Sequence, residues 1–91
     1  MAPRVHELKT IPHYWDAIER GEKTFEVRRD DRGFQRGDIV RLYRDTGYSG
    51  WKAARCLDRR IGWILTGGQF GIEPGFIVFS LEPTALTGDT R

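Results

Sequence analysis

Gly21-Glu22-Lys23-Thr24-Phe25-Glu26-Val27-Arg28-Arg29-Asp30-Asp31 carries the chain from the end of a helix into a strand within eleven residues. Glycine suits the left-handed residue that closes a helix. From Lys23 onward the pattern alternates, with Phe25 and Val27 on one side and Thr24, Glu26, Arg28 and Asp30 on the other. A strand with that pattern offers a polar face, from which Thr24, Glu26 and Arg28 project about 7 Å apart.

Reading backwards, Thr10 stands as an N-cap before Pro12, and Tyr14, Trp15 and Ile18 form an apolar stripe, which predicts a helix over residues 12–20. Arg4 to Lys9 alternates as a short strand. Reading forwards, Asp31 to Gly37 has turn chemistry and Asp38 to Tyr43 resumes a strand. Asp45 to Gly50 reads as a hairpin loop, followed by a strand near Trp51 to Asp58. Ile61 to Leu65 is a further apolar run before the glycine-dense stretch Thr66 to Gly71. Phe76 to Leu81 is nearly continuous in apolar residues and is expected to lie centrally in a sheet. The expected class is α+β, mostly β: a small barrel of five or six strands with one helix after the first strand. Residues 1–83 form a single domain in this reading, with residues 84–91 as a polar C-terminal tail.

Ninety-one residues leave room for one domain with a modest core and a shallow cleft. The chain is 38% hydrophobic and 31% charged, with a mean hydropathy of −0.55, values typical of globular rather than disordered or membrane-embedded chains. Neither a membrane-spanning run nor the apolar stretch of a secretory signal is visible, which points to the cytoplasm and away from a membrane. A lone cysteine, Cys56, with only His6 and His13 beside it, gives neither an internal disulfide nor zinc-ligand spacing, so no metal and no cofactor are expected. Cys56 alternates within an apolar strand and reads as a small core residue. Net charge is only +2, yet residues 28–60 carry +5, and nine of the ten cations there are arginine. Arginine's planar fork suits phosphates and base edges, so an anionic partner is favoured.

Several motifs occur together: His6-Glu7-Leu8-Lys9, a short helix holding Trp15, Gly21-x-Lys23-Thr24-Phe25-Glu26-x-Arg28, Asp31-Arg32-x-Phe34-x-x-Gly37-Asp38, Tyr48-x-Gly50 and Gly75-Phe76-Ile77-Val78. Jointly, over roughly residues 6–82, they make the chain resemble the ASCH domains of the PUA-like superfamily, and among these a subfamily of small uncharacterised phage and bacterial proteins. The resemblance implies a PUA-like β-barrel flanked by a helix, with RNA or a modified nucleobase held in a cleft between them. In ASCH-type enzymes that deacetylate acetylcytidine, a Gly-x-Lys-Thr-x-Thr-x-Arg segment supplies a lysine and its second threonine. Lys23, Thr24 and Arg28 match that segment, but Glu26 stands where the second threonine would be. A carboxylate accepts hydrogen bonds and is not an activated hydroxyl.

Two functions follow. The first is a nucleic-acid-binding module, for RNA, in which Glu26 accepts from a base amine while Lys23 and Arg28 neutralise phosphate or orient Glu26. Lys9, Thr24 and Arg29 complete the cleft, with a rim of Tyr48, Trp51, Lys52 and Arg55 where aromatics and cations interleave. The second is a small hydrolase or ribonuclease, with Lys23 as base or electrostatic stabiliser, Thr24 as nucleophile and Glu26 as acid/base. Bland readings compete at each position: an exposed Glu26–Arg28 pair on a solvated face, Trp15 in the core, and Tyr48 and Trp51 as hairpin packing.

Overall fold

A computed structural model describes residues 2–84. Five strands and one α-helix follow in the order β1 (Val5–Thr10), α1 (Pro12–Glu19), β2 (Phe25–Arg29), β3 (Ile39–Arg44), β4 (Cys56–Thr66) and β5 (Phe76–Glu82), with a short 3-10 helix at Trp51–Ala53. The strands form one sheet ordered β1-β3-β4-β5-β2, parallel between β1 and β3 and antiparallel elsewhere. It curls into a half-barrel. β5 lies between β4 and β2, the interior position its apolar run suggested.

Consecutive strands β1 and β2 therefore occupy opposite edges of the sheet, and the connection between them must cross the barrel's mouth. That connection is α1. Its apolar stripe, Trp15 and Ile18, is buried against Leu8, Leu42, Leu57, Ile61 and Phe79. The Trp15 indole N–H donates to the Leu42 carbonyl at 2.8 Å, so the largest core side chain carries no unpaired polar group. Arginines hold the polar side of the helix: Arg44, at the end of β3, grips Asp16 through two hydrogen bonds of 2.9 and 3.1 Å, and Arg55, just before β4, reaches Glu19 at 2.9 Å.

The two sheet edges meet through side chains. Arg28 donates to the Lys9 carbonyl at 3.0 Å, Arg32 to the Glu7 carbonyl at 3.1 Å, and Arg4 to the carbonyls of Arg32 and Gly33 at 2.6 and 2.7 Å. Edge carbonyls of β1 that no strand pairs are satisfied by guanidinium groups, which also block pairing with another chain.

Several sequence expectations are corrected here. Thr10 is not the helix cap: it ends β1 and is buried, while Ile11 takes the N-cap position without a side-chain bond. Proline in the first turn removes one donor that would need a cap. The stretches 51–58 and 61–65 are not two strands: Trp51–Ala53 is 3-10 helix, and the rest fuses into the eleven-residue β4, whose register slips between Ile61 and Ile64. Such a bulge lets one strand turn a corner without ending. Cys56 is exposed, because β4 begins there and Leu57 supplies the inward side chain. The bland reading of β2 as a solvated charged face does not hold for Glu26, which turns into the barrel while the apolar Phe25 and Val27 point outward. Alternation fixes that two faces differ but not which one is covered. The expected tail lies outside the described residues from position 85 onward. Among the described residues, no helix is long and apolar enough to cross a membrane.

Candidate functional site

Glu26 pairs across the sheet with Phe79, and both turn inward. Its side chain is only 5% exposed, and a carboxylate so placed needs partners on both oxygens. Lys23 Nζ donates to Oε1 and Arg28 Nε to Oε2, each at 2.8 Å. Lys23 reaches from the turn after α1, where Gly21 adopts φ +80° and sends the chain back onto the barrel. Arg28 bridges the mouth, since its Nη2 also donates to the Lys9 carbonyl and, at 3.3 Å, to Thr10 Oγ1.

Over this triad opens a cleft of about 500 Å³. Tyr14 and Ile11 form its helix side and Phe25 and Val27 its strand side, with Lys9 and Thr10 at the end of β1. Tyr14 and Phe25 each remain nearly half exposed. Lys23 Nζ lies 5.2 Å from the Tyr14 ring centroid and 4.7 Å from that of Phe25, so one ammonium sits against two rings.

The chemistry follows from these positions. A carboxylate oxygen can accept two hydrogen bonds, and each Glu26 oxygen accepts one from the protein. Glu26 with Lys23 and Arg28 carries a net +1, which suits a ligand bringing one negative charge beside an amine donor. Half-exposed aromatic walls add surface on which a planar ring can stack.

Of the residues singled out from sequence, Lys9, Lys23, Glu26 and Arg28 line this cleft. Thr24 is exposed and lines a neighbouring pocket with Ile18, Arg59 and Leu81. Arg29 lies on the outer face, its guanidinium 4.6 Å from the Phe76 ring centroid. Tyr48 is 80% exposed in the loop after β3. Trp51 packs edge-on against Tyr43 with centroids 5.3 Å apart, as in the packing alternative. Lys52 pairs with Glu7 at 3.0 Å, and Arg55 lies 4.8 Å from the Trp15 ring centroid while it holds Glu19. None of these last four lines the cleft. The sequence reading missed Ile11, Tyr14, Phe25 and Val27 as cleft walls. A signal for Tyr14 was present, since it precedes the core residue Trp15 and so lies off the helix's buried centre.

Away from the cleft, on β1, β3 and β4, charges are also paired. Asp58, fully buried, takes two hydrogen bonds from Arg41, at 2.8 and 3.0 Å. Tyr43 donates to Glu7 at 2.7 Å, and that bond, with burial, pushes its hydroxyl up to about 12. Glu7 is held below the usual carboxylate range by Tyr43 and Lys52. His6 Nε2 lies 2.8 Å from Asp38 Oδ2.

Residues 5–81 match the family described as a domain of unknown function, DUF3850. The chain belongs to this family. Within that DUF3850 span fall all the residues of the cleft. An uncharacterised 12.9 kDa protein of Escherichia phage P2 is 37% identical over 43 residues, which cover 47% of this chain and 39% of the phage protein's length.

Proposed function

We propose that this DUF3850 chain is a PUA-like ASCH domain that binds RNA, taking one base into the cleft between α1 and the half-barrel. The observation that carries this reading is Glu26, a buried carboxylate at the floor of an aromatic-walled cleft, held by two cations and still able to accept. Such a group offers an acceptor to an exocyclic base amine, while Lys9 and Arg28 offer charge to the phosphate beside it. A hydrolytic reading has less support, because Thr24, its nucleophile, opens on a different pocket from Glu26.

Salt tests the proposal. Binding of a short single-stranded RNA should weaken log-linearly with salt, with a slope of about 0.7 per contacted phosphate. Lys9→Ala should lower that slope by about one contact. Absence of binding at low salt, or a flat response, would contradict it.

A further inference from the structure

The inverted facing of β2 leaves a second feature that the cleft does not use. Phe25 and Val27 point outward, and register carries their row across two more strands: Val27 faces Val78, which faces Leu65, and Phe25 faces Ser80, whose Oγ accepts from the Trp63 N–H at 2.8 Å. Phe76 lies opposite Arg29 in the next row. The slip in β4 lies beside Trp63, which is left 65% exposed. Val27 is 51% exposed and Phe25 47%. Contiguous apolar surface over three strands is more than scattered exposed side chains and marks a place where something binds.

Each aromatic ring of this face carries a cation. Arg36 lies 5.0 Å from the Trp63 ring centroid, Lys23 4.7 Å from Phe25 and Arg29 4.6 Å from Phe76. Of these cations Lys23 is already paired with Glu26 at 2.8 Å, and two further carboxylates border the face: Glu73, beside Phe76, and Glu82, whose Oε1 is 3.6 Å from Arg60. The surface is thus apolar and cationic at its corners, with a shallow groove of about 280 Å³ where Ile72 and Glu73 border Val27, Phe76 and Val78. A second copy of the same face would bring cation against cation. Bases and phosphates complement it, since rings stack on rings and the Arg29 and Arg36 guanidinium groups meet the backbone. Phe25 and Val27 also wall the cleft, so the face continues from it without a gap.

The geometry points to the outer face of β4, β5 and β2 as a stacking platform for single-stranded nucleic acid, over which the strand runs after one of its bases enters the cleft. This rests on the nucleic-acid reading of the cleft. Trp63 and Arg36 form the far end of the path, two strands or about 10 Å from Phe25.

Oligocytidylates of two and eight nucleotides, whose base carries an exocyclic amine, titrated at constant salt against the wild-type chain, Trp63→Ala, Trp63→Phe and Arg36→Ala, test the platform. The octamer should bind more tightly than the dimer and quench tryptophan emission. Trp63→Ala should weaken the octamer about tenfold and leave the dimer unchanged, as expected for one lost stacking contact. Trp63→Phe should keep most of the affinity and lose most of the quenching, which separates a lost stack from misfolding. Arg36→Ala should weaken the octamer alone. If this pattern holds while Arg28→Ala changes nothing, the platform stands and the cleft reading fails. Equal affinities for dimer and octamer, untouched by Trp63→Ala and Arg36→Ala, would overturn the platform and leave the cleft. Tryptophan emission that follows protein concentration rather than RNA, with a dimer in sedimentation that Val27→Lys dissolves, would overturn it in favour of a self-interface.

Discussion

Glu26 costs the fold a desolvated carboxylate, and Lys23 and Arg28 offset that cost only as a pair. Glu26→Ala should leave two cations facing each other in a site built for a negative charge. We expect a loss of about 3 kcal/mol in denaturant unfolding, the low end for broken buried pairs because Arg28 keeps access to water. Glu26→Gln should lose less, since the amide fills the same space. Asp38 answers to pH. Burial alone would raise its carboxyl, but His6 and the backbone N–H groups of Arg4 and Gln35 outweigh that and hold it below its ordinary value. A depressed carboxylate stabilises the fold above its unfolded value of about 3.9, and that contribution disappears as pH falls through the lower folded value. The denaturant midpoint should therefore fall steeply below about pH 4, and Asp38→Asn should flatten that fall while lowering the midpoint at neutral pH. At this scale the sequence was partly legible. Glu26 and Arg28 stood out by alternation and charge and were assigned to a cleft, with Lys9 and Lys23, only through the family resemblance, whereas Tyr14 and Phe25 were not, because their role depends on which face of β2 is covered.

Elements were easier to find than to orient. Gly21 and Pro12 bracket α1 within one residue of the expected span, since both act locally through φ and a missing N–H. β4 was split in two by reading, because a bulge interrupts alternation without ending the strand. The turn from β4 to β5 shows how tightly backbone approach constrains an element. A Cβ on Gly67 would collide with the carbonyl oxygens of Glu73 and Phe76, whereas one on Gly62 would meet the side-chain ends of Glu82 and Ser80. Backbone cannot step aside, but a flexible carboxylate can. Gly67→Ala should cost about 2–3 kcal/mol and Gly62→Ala clearly less, both read as shifts of the unfolding midpoint at neutral pH.

For the whole molecule, the decisive arrangement is that β1 and β2 are neighbours in sequence and opposite edges of the sheet. That topology sends α1 across the mouth, turns Glu26 inward and makes Arg28 both a partner of Glu26 and a tie to β1. Strand order was not legible from sequence, because pairing is chosen by long-range contacts that periodicity does not record. The mostly β class and the single helix were legible, because each rests on local pattern alone. The central claim is that Glu26 accepts from a base in the cleft, and the most direct measurement is binding of the wild-type chain and Glu26→Gln to the four RNA homopolymers at one salt concentration. The amide presents a donor where an acceptor stood, so the order of preference among the four should change, by about 1–3 kcal/mol for the base that Glu26 contacts, with the salt slope little altered. An unchanged order, whether binding is equal or uniformly stronger, would contradict the claim and leave Glu26 as the structural partner of Lys23 and Arg28.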